Sequence, residues 1–422
     1  MKSVQRYGIG ALLLVAQGLV WAQAEPELLL DTQQCLRQLR PAAPQHGVSL
    51  NDFDRYTQQA QLLPSTVKSA RGQPEGRETW WDYLAKTIDQ ERVDAGKAIL
   101  ADQGAVLDQV AARFEVDKEV MVAIFGVETN YGTRLGSTDV LNAWLTRACV
   151  EGKPLWKSNV YASLRLLRDG VVSPEAFQGS WSGAFGMTQF IPTSFFELAA
   201  DGDGDGRIDL YHSLPDALAS TANHLKKRRA QWQRGLLPLV EVKPAPEALR
   251  ALGVRADPEH EYAARQRMSL SAWQARGITA YHDSALTAAQ MNESAWLIAP
   301  TGANGPAFLA TRNFDAILHY NQSLKYAVSV SLLIDQLRGQ PPIQTPWPTD
   351  DPGLSRAEIR ALQQALLDLG HPVGTPDGIP GSNTRAAVAA EQRKRGWVEN
   401  GRVGRKIYDA LLGPAAQGSS AG

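Results

Sequence analysis

The segment EVMVAIFGVETNYG, residues 119–132, predicts a buried helix that carries one carboxyl group just before a turn. On a helix, positions i, i+3, i+4 and i+7 share one face. The residues at these positions are Met121, Ile124, Phe125 and Glu128. Removal from water raises the pKa of a carboxyl group, and an acid that stays protonated near neutral pH can act as a general acid. The alternative is a helix-end glutamate that turns to solvent or pairs with a buried arginine.

Length and charge set the limits of the interpretation. The chain has 422 residues, enough for about two or three domains. Its composition, 44% hydrophobic and 21% charged, is typical of a soluble globular protein. The formal net charge of −1 provides no strong field for nucleic acid, so we expect no nucleic-acid partner.

The N-terminus has the pattern of a secretory signal peptide. Lys2 and Arg6 precede a short apolar run, and residues 22–24 form an A-x-A cleavage signal. Gln17 interrupts the run, which argues against a transmembrane anchor. No cysteine lies directly after the cleavage signal, so a lipid-anchored terminus is not expected. Residues 1–24 are therefore predicted to be removed on export.

The chain contains two cysteines, Cys35 and Cys149. An exported protein meets oxidising conditions, in which two cysteines can pair. We expect a disulfide between them, with two buried free thiols as the alternative. No cysteine spacing typical of a metal site is present.

Helical periodicity dominates most of the chain, with three exceptions. Residues 236–312 contain short segments such as LPLVEVKP and AWLIAP, broken by Gly and Pro, which predict a small strand-containing insertion. The helical pattern that follows has a possible break near Asn321. Residues 339–353 are rich in proline and predict a semi-rigid linker. We expect this linker to hold a compact C-terminal unit apart from the rest of the chain.

Two further segments contain polar and aromatic groups suited to a ligand. The first, GSWSGAFGMTQFIPTSF at 179–195, is dense in small residues, which let backbone approach a ligand closely. The second, HYNQSLKYA at 319–327, combines amides with aromatic rings that suit the apolar faces of sugars. For the first segment the alternative is a tight inter-helix loop packed for its own sake. For the second it is a helix with ordinary core tyrosines, which is the favoured interpretation when the segment is taken alone.

The segment DGDGDGRIDLYHSLPD, residues 201–216, matches the first half of an EF-hand-type loop. His212 stands at position 12, where the EF-hand has a bidentate glutamate. The candidate ligands are Asp201, Asp203, Asp205, the backbone carbonyl of Arg207 and, in place of the glutamate, Asp216. Their hard oxygens favour a structural calcium ion; the alternative is a solvated acidic turn.

In order along the chain, these motifs resemble the membrane-bound lytic transglycosylase B family of bacterial murein lytic transglycosylases. The resemblance covers about residues 30–338. The C-terminal unit resembles the type 1 peptidoglycan-binding domain in its Asp377-Gly378 pair and in Gly381, Thr384 and Gln392. These resemblances imply a mainly α, α+β lysozyme-like fold. Its predicted parts are a helical catalytic domain at 25–338, the insertion at 236–312, the linker at 339–353 and a small helical bundle at 354–414.

Family members cleave the β-1,4 bond between N-acetylmuramic acid and N-acetylglucosamine without water and leave a 1,6-anhydromuramoyl end. The resemblance implies that Glu128 acts as the single acid and base. The implied substrate-binding residues are Tyr83, Ser180, Gln189, Phe190, Tyr320, Asn321 and Tyr326. No catalytic cofactor is expected.

The resemblance also implies a location and partners. We expect a soluble monomer in the periplasm that binds peptidoglycan glycan strands, with wall-synthesis or hydrolase complexes as further partners. The best-known family members are lipoproteins, so here the C-terminal module is expected to supply wall affinity instead. Two alternatives remain open. One is a hydrolytic muramidase that uses a second carboxylate such as Asp139, and the other is a non-catalytic wall-binding scaffold.

Overall fold

The computed structural model describes residues 31–71, 78–227, 230–281 and 286–413, apart from the side chain of residue 265. Within these ranges the chain is mainly helical, which confirms the predicted fold class. No helix of the described part is both long and apolar enough to cross a bilayer. The predicted signal peptide, 1–24, lies outside the described residues.

The first half of the described chain forms short helices with side-chain caps. The bounds are Thr32–Leu39, Leu50–Thr57, Pro64–Arg71, Trp80–Thr87, Gln90–Asp102, Gly104–Phe114, Lys118–Thr129, Val140–Glu151 and Pro154–Arg168, with a 3-10 helix at Arg40–His46. Five begin at a cap whose side chain accepts a hydrogen bond from the backbone N–H three residues later. These caps are Asp31, Ser49, Thr79, Asp89 and Asp139.

The predicted buried helix is confirmed at Lys118–Thr129, called the Glu128 helix below. All residues of Val120–Phe125 are 4% exposed or less, because the helix packs between its neighbours. Two of these neighbours are Gln90–Asp102 and Leu324–Leu337. The Glu128 helix is therefore the centre of the first hydrophobic core.

A second hydrophobic core lies around the helices Val140–Glu151 and Pro154–Arg168. The Cys35–Cys149 disulfide is in this core and connects the first described helix to Val140–Glu151, with the two Cα atoms 5.8 Å apart. The crosslink therefore fixes the N-terminal segment on the second core.

The helices of the second half enclose the two cores. Their bounds are Pro192–Leu198, Leu214–Lys227, Arg312–Tyr320 and Leu324–Leu337. The expected break near Asn321 is confirmed: Arg312–Tyr320 ends there, and the Ser323 side chain caps the next helix by accepting the N–H of Tyr326. The break lets the chain change direction between two buried helices.

The predicted strand-containing insertion is also confirmed. Its antiparallel strands Leu239–Val242, Tyr262–Ser269, Ser294–Ala299 and Ala307–Ala310 are ordered first, fourth, third, second across the sheet. Alternate residues face opposite sides of a strand. Accordingly, Trp296 and Phe308 pack into the first core, whereas Leu297 and Leu309 pack into a separate core of the insertion. The sheet thereby joins the insertion to the first hydrophobic core.

Short elements complete the insertion and the second core. In the insertion these are the helices Pro246–Ala251, Leu270–Gln274 and Ala288–Met291 and the 3-10 helix Gly302–Asn304. In the second core, two-residue strands pair antiparallel at Thr138–Asp139 and Gln178–Gly179. The first of these strands follows the Glu128 helix in the chain, and the second leads into the glycine-rich segment.

The C-terminal module is a small bundle of the helices Arg356–Asp368, Ser382–Lys394 and Arg405–Leu412. The predicted helical bundle is thus confirmed. A capping box between Ser355 and Glu358 starts its first helix. Leu362, Leu366 and Val388 are buried at its centre.

The expectation that residues 339–353 hold this module apart is wrong. Trp347 packs against the first core, and the amides of Gln344 and Thr345 donate to the Glu241 carboxylate at 2.9 and 2.8 Å. Beyond the linker, Arg402 Nη1 of the module donates to Asp82 Oδ2 at 2.5 Å. The proline-rich segment is thus bound to the rest of the protein by apolar packing and by hydrogen bonds to Glu241, so it does not act as a free spacer.

Removing the disulfide should destabilise the fold. The crosslink joins residues 114 positions apart, so it restricts the unfolded chain strongly. We expect Cys35→Ala with Cys149→Ala to lower the free energy of unfolding by about 2–4 kcal/mol. Urea titration of the variant and of oxidised wild type measures the difference, with reduced wild type as the control. Equal urea midpoints for all three proteins would show that the disulfide does not stabilise the fold.

Candidate active site

Glu128 lies in the last turn of its helix and is partly buried. Burial, and next the charge of Glu128, raise the pKa of both the Tyr320 and the Tyr326 hydroxyl. The carboxyl group therefore lies near two phenols that stay neutral. Sequence reasoning placed these three side chains in one site, and the structure brings them together.

The helix ends abruptly after Glu128, in three consecutive left-handed residues. The φ angles of Asn130, Tyr131 and Gly132 are 50°, 59° and 80°. Such angles are uncommon for residues other than glycine and persist where the surroundings hold them. The amide of Asn130 donates to Gly126 O at 3.0 Å, and that of Tyr131 donates to Phe125 O at 3.3 Å. These bonds close the helix directly beyond the carboxyl group.

Tyr131 holds this turn by inserting between two helices. Its hydroxyl donates to the carbonyl of Arg92 at 2.8 Å. A Cβ at Gly126 would lie 2.6 Å from the Tyr131 ring, and one at Gly96 would lie 2.4 Å from its hydroxyl. The absence of a side chain at both glycines leaves the space that the ring occupies.

Thr129 fastens the helix end to the glycine-rich loop, defined here as residues 179–190. Its hydroxyl donates to Met187 O at 2.5 Å and accepts the N–H of Gly132 at 3.1 Å. The position of Glu128 relative to the loop is therefore set by the residue next to it in sequence.

Ser180 begins a tight turn within this loop. Its backbone N–H donates to Ala184 O at 2.8 Å, and the N–H of Gly183 donates back to Ser180 O at 2.9 Å. The Ser180 hydroxyl accepts the N–H of Ala184 at 3.2 Å and lies 3.0 Å from the hydroxyl of Ser182. Ser180 is thus first a turn-forming residue, with a partly buried hydroxyl.

Gln189 connects the far end of the loop to the turn after Glu128. Its φ of 52° is again left-handed. The side-chain amide donates to Leu135 O at 3.2 Å and to Gly186 O at 3.0 Å. The first bond holds the loop against residues 133–137, and the second closes a turn within the loop.

Aromatic side chains form a wall beside Glu128. Tyr320 donates its hydroxyl to Thr188 O at 2.6 Å, and its ring packs edge-on against Phe190. Phe190 is only 2% exposed, so it supports this wall from behind rather than presenting a ring face. Tyr326 and Tyr83 are buried as well. They lie close enough together for Tyr83 to contribute electrostatically to the raised pKa of Tyr326, after the larger effects of burial and of Glu128.

Asn321 lies at the edge of the wall, where it ends the helix Arg312–Tyr320. Its backbone N–H donates to Ile317 O at 3.2 Å, and the residue is partly buried. Asn321 is thus placed by its backbone, directly after Tyr320 in the chain. The predicted set therefore divides into a carboxyl group, a tyrosine wall and a polar loop.

Sequence reasoning missed the residues that support the glycine-rich loop from below. Trp144 Nε1 donates to Gly183 O at 2.8 Å, and Arg147 Nη1 donates to Ser182 O at 3.2 Å. The Arg147 guanidinium lies 3.8 Å from the ring centroid of Trp156. The i, i+3 spacing of Trp144 and Arg147 on one helix is a signal that could have found this pair.

Asp139, the candidate second carboxylate of a hydrolase, has a structural task. Its Oδ1 accepts the N–H of Asn142 at 2.6 Å and so caps the helix Val140–Glu151. Burial raises its pKa. Its charge acts on Tyr211, whereas that of Glu128 acts on Tyr320 and Tyr326. Nothing in this arrangement favours a carboxylate pair around a water.

The aspartate loop, residues 201–216, brings together three carboxylates. One oxygen from each of Asp201, Asp203 and Asp205 lies within 4.8 Å of the others. The amides of Gly206 and Gly204 donate to Asp201 and lower its pKa. This spacing of hard oxygen ligands fits a divalent cation such as Ca²⁺.

The remaining predicted ligands lie outside this group of three. Asp216 is buried, and its two oxygens accept the N–H groups of Gly202 and Asp209, both at 2.7 Å. Asp216 therefore braces the base of the loop. Arg207 donates its N–H to Asp205 Oδ1 at 2.8 Å, and His212 Nδ1 lies 2.9 Å from Asp209.

The aspartate loop is also connected to the glycine-rich loop. The N–H of Met187 donates to the carbonyl of Leu210 at 2.8 Å. Leu210 O lies 2.7 Å from where a Cβ on Gly186 would be, so the glycine permits this close approach. This hydrogen bond thus connects the two loops directly.

Two family profiles match this chain. One, described as a transglycosylase SLT domain, matches residues 31–335. The chain belongs to this transglycosylase family. The other profile, a peptidoglycan binding domain, matches residues 355–411. The predicted family and module are confirmed, and this SLT transglycosylase is an enzyme of the lytic transglycosylase class.

Similar proteins support the same assignment. SltB3 from Pseudomonas aeruginosa, solved in complex with NAG-anhNAM-pentapeptide, is 37% identical with a TM-score of 0.68, covering 90% of this chain and 99% of SltB3. Escherichia coli Slt35 in complex with calcium is 26% identical with a TM-score of 0.58, covering 73% and 92%. The membrane-bound lytic murein transglycosylase B of Escherichia coli is 25% identical over 296 residues, 68% of this chain and 77% of its own length.

Adding a methyl group at Gly126 should disturb the turn after Glu128. The new Cβ would overlap the Tyr131 ring, so the ring or the helix must move. We expect Gly126→Ala to lower the free energy of unfolding by about 1–3 kcal/mol, as overpacking does. Gly104→Ala is the control, because no atom lies within 4 Å of a Cβ there. Urea unfolding of both variants is the measurement, and an unchanged Gly126→Ala midpoint would show that Tyr131 does not require the space.

Proposed function

We propose that this SLT transglycosylase cleaves the β-1,4 bond between N-acetylmuramic acid and N-acetylglucosamine in peptidoglycan and forms 1,6-anhydromuramoyl ends. The observation that carries the proposal is one carboxyl group, Glu128, at the end of a buried helix beside neutral phenols. The NAG-anhNAM-pentapeptide in the SltB3 complex supports the anhydro product.

In the proposed reaction Glu128 acts first as an acid. It donates its proton to the glycosidic oxygen while the bond from that oxygen to C1 of the muramoyl sugar breaks. An oxocarbenium-like centre develops at C1. The leaving N-acetylglucosamine then carries the proton as a new hydroxyl group.

Glu128 next acts as a base on the same sugar. Its carboxylate takes the proton of the C6 hydroxyl while O6 forms a bond to C1, which returns Glu128 to the protonated state. The nucleophile is tethered to the reacting centre, so no bound water is needed. One carboxyl group therefore suffices, which agrees with the helix-capping task of Asp139.

The surrounding side chains have supporting tasks in this proposal. Tyr320 and Tyr326 stay neutral, so they orient the acid or a sugar hydroxyl without competing for its proton. Asn321, Ser180 and Gln189 offer amide and hydroxyl groups to the sugars, and Tyr83 contributes to the tyrosine wall. Phe190 keeps this wall in place from behind.

The proposal includes export, because bacterial peptidoglycan lies outside the inner membrane. Removal of residues 1–24 would release a soluble monomer into the periplasm. There the C-terminal module contributes affinity for glycan strands, and complexes with other wall enzymes are further partners. No cofactor is required for catalysis.

We also propose that the aspartate loop holds a structural Ca²⁺. Asp201, Asp203 and Asp205 would supply carboxylate oxygens, and Gly206, with φ of 84°, allows the sharp turn that such a loop needs. Slt35, a structure similar to this chain, was solved in complex with calcium. The ion would stabilise the loop on which the Met187–Leu210 hydrogen bond depends.

Glu128→Gln tests the acid. The amide is nearly isosteric but cannot donate a proton in the same way, so we expect sacculus digestion to fall by about 10²–10⁴-fold with folding intact. Mass spectrometry of the digest measures anhydro products. Glu119→Gln, the same change at the other end of the helix, is the matched control. Wild-type turnover by Glu128→Gln would move the acid to another residue, and reducing ends in place of anhydro ends would favour the muramidase.

Calcium tests the aspartate loop. An ion that binds only the folded state stabilises it, by about 2.7 kcal/mol at 100 times the dissociation constant. We expect Ca²⁺ to raise the melting temperature of chelator-treated protein, and Asp201→Ala with Asp205→Ala to abolish this increase. Asp108→Ala, a change at an exposed aspartate paired with Lys118, should retain it. Identical melting curves of the wild type with calcium and with chelator would show that the aspartate loop is a solvated acidic turn that binds no calcium.

A further inference from the structure

The C-terminal module is attached to the end of the Glu128 helix by one buried arginine. Arg356 Nε donates to Asp89 Oδ2 at 2.6 Å, and Nη2 donates to Asp89 Oδ1 at 2.7 Å. The third nitrogen, Nη1, donates to Asn130 Oδ1 at 2.6 Å. Arg356 is 8% exposed and Asp89 is 5% exposed, so the contact is shielded from solvent.

Asn130 is the first left-handed residue after the helix and lies two positions beyond Glu128. Its side-chain oxygen accepts from Arg356, while its side-chain nitrogen donates to Thr133 Oγ1 at 3.0 Å. The module thereby contacts the turn that ends the Glu128 helix. A second contact follows close by, where Arg134 Nη2 donates to Asp377 O of the module at 3.4 Å.

Asp89 braces the same turn from the opposite side. It caps the helix Gln90–Asp102 by accepting the N–H of Arg92, and the carbonyl of Arg92 accepts the hydroxyl of Tyr131. Burial alone would raise the pKa of Asp89, but hydrogen bonds from Arg356 and from the Arg92 amide lower it. Asp89 thus stays charged, and Arg356 joins the two elements that hold the left-handed residues.

We propose that Arg356 is a positioning residue for Glu128, so that the peptidoglycan-binding module completes the active site as well as binding the wall. The guanidinium has the planar donor geometry to engage a carboxylate and an amide oxygen together, which a lysine ammonium lacks. The inference rests on the proposed function of Glu128. It assigns a catalytic consequence to a contact between residues 226 positions apart.

The test uses the full-length chain and a soluble, uncrosslinked glycan oligomer, which needs no wall anchoring. We expect Arg356→Met to lower kcat by about tenfold or more, because small displacements of a catalytic group are costly. KM and binding to insoluble sacculi should change less than about twofold, since the sugar-facing residues remain. Arg356→Lys should recover only part of kcat, because it can pair with Asp89 without also holding Asn130.

Arg360→Met is the matched control. Arg360 lies one helical turn further along, pairs with the exposed Glu91 and therefore also joins the module to the core. It makes no contact with the turn among the described hydrogen bonds, so kcat should stay at the wild-type value. An equal loss of kcat in both variants would assign the effect to docking in general and overturn the role of Arg356.

Asn130→Gly approaches the same contact from the other side. Glycine tolerates the left-handed backbone and leaves the Arg356–Asp89 pair intact, so this variant also serves if Arg356→Met fails to fold. We expect a similar loss of kcat, and a less than additive loss when the two changes are combined, because both remove the Arg356–Asn130 hydrogen bond. Wild-type kcat in Asn130→Gly, or full additivity in the double variant, would contradict the proposal.

Hydrogen exchange separates this inference from the proposed function. The amides of Asn130 and Arg134 donate to the helix end in the wild type, and they should exchange faster in Arg356→Met but not in Arg360→Met. This readout needs no turnover. Faster exchange in Arg356→Met, together with a wild type that forms no anhydro product, would support the structural role of Arg356 and reject the proposed transglycosylase activity. Unchanged exchange in Arg356→Met would reject the role of Arg356.

Discussion

The site depends on ending one buried helix abruptly. The Glu128 helix has to be surrounded by apolar side chains to be stable, yet in the proposed function its last carboxyl group has to reach the substrate. Three left-handed residues meet both demands, because they begin two positions after Glu128 and end the helix there. Their conformational cost is of order 1–3 kcal/mol each for the non-glycine residues, and neighbouring contacts offset it. Thr129, Tyr131 and Asn130 supply these contacts to the glycine-rich loop, to the helix Gln90–Asp102 and to the C-terminal module, respectively.

Local patterns in the sequence were sufficient for the central features. The apolar run before Glu128 predicted a buried helix because burial on all sides leaves a continuous signal within a dozen residues. The break near Asn321 and the strands of the insertion were predictable for the same reason, since turns and alternation are local. The alternating faces of the sheet, with Trp296 on the main core and Leu297 on the insertion core, follow from the period of two.

Long-range contacts could not be predicted in this way. Arg356 and Asp89 are 267 positions apart, and neither stands in a pattern that names its partner. The proline content of the linker indicated stiffness, but it carried no information about whether Trp347 would find a surface to pack on. Asp216 was the expected last ligand of the aspartate loop, yet it braces the backbone from below. An acidic side chain can satisfy either task, and only its three-dimensional surroundings decide between them.

Because the linker is docked on the core, the C-terminal module differs from a binding module on a flexible tether. A module on a flexible tether searches a volume, and its benefit depends on tether length. Here Glu241 and Trp347 hold the linker down, and Arg402 and Arg356 fix the module itself. In the proposed function, these contacts therefore fix the distance between the wall-binding surface of the module and the carboxyl group of Glu128. On that proposal, a glycan strand bound by the module presents its scissile bond to Glu128 at a set distance along the strand, so the cleavage site depends on where the module binds.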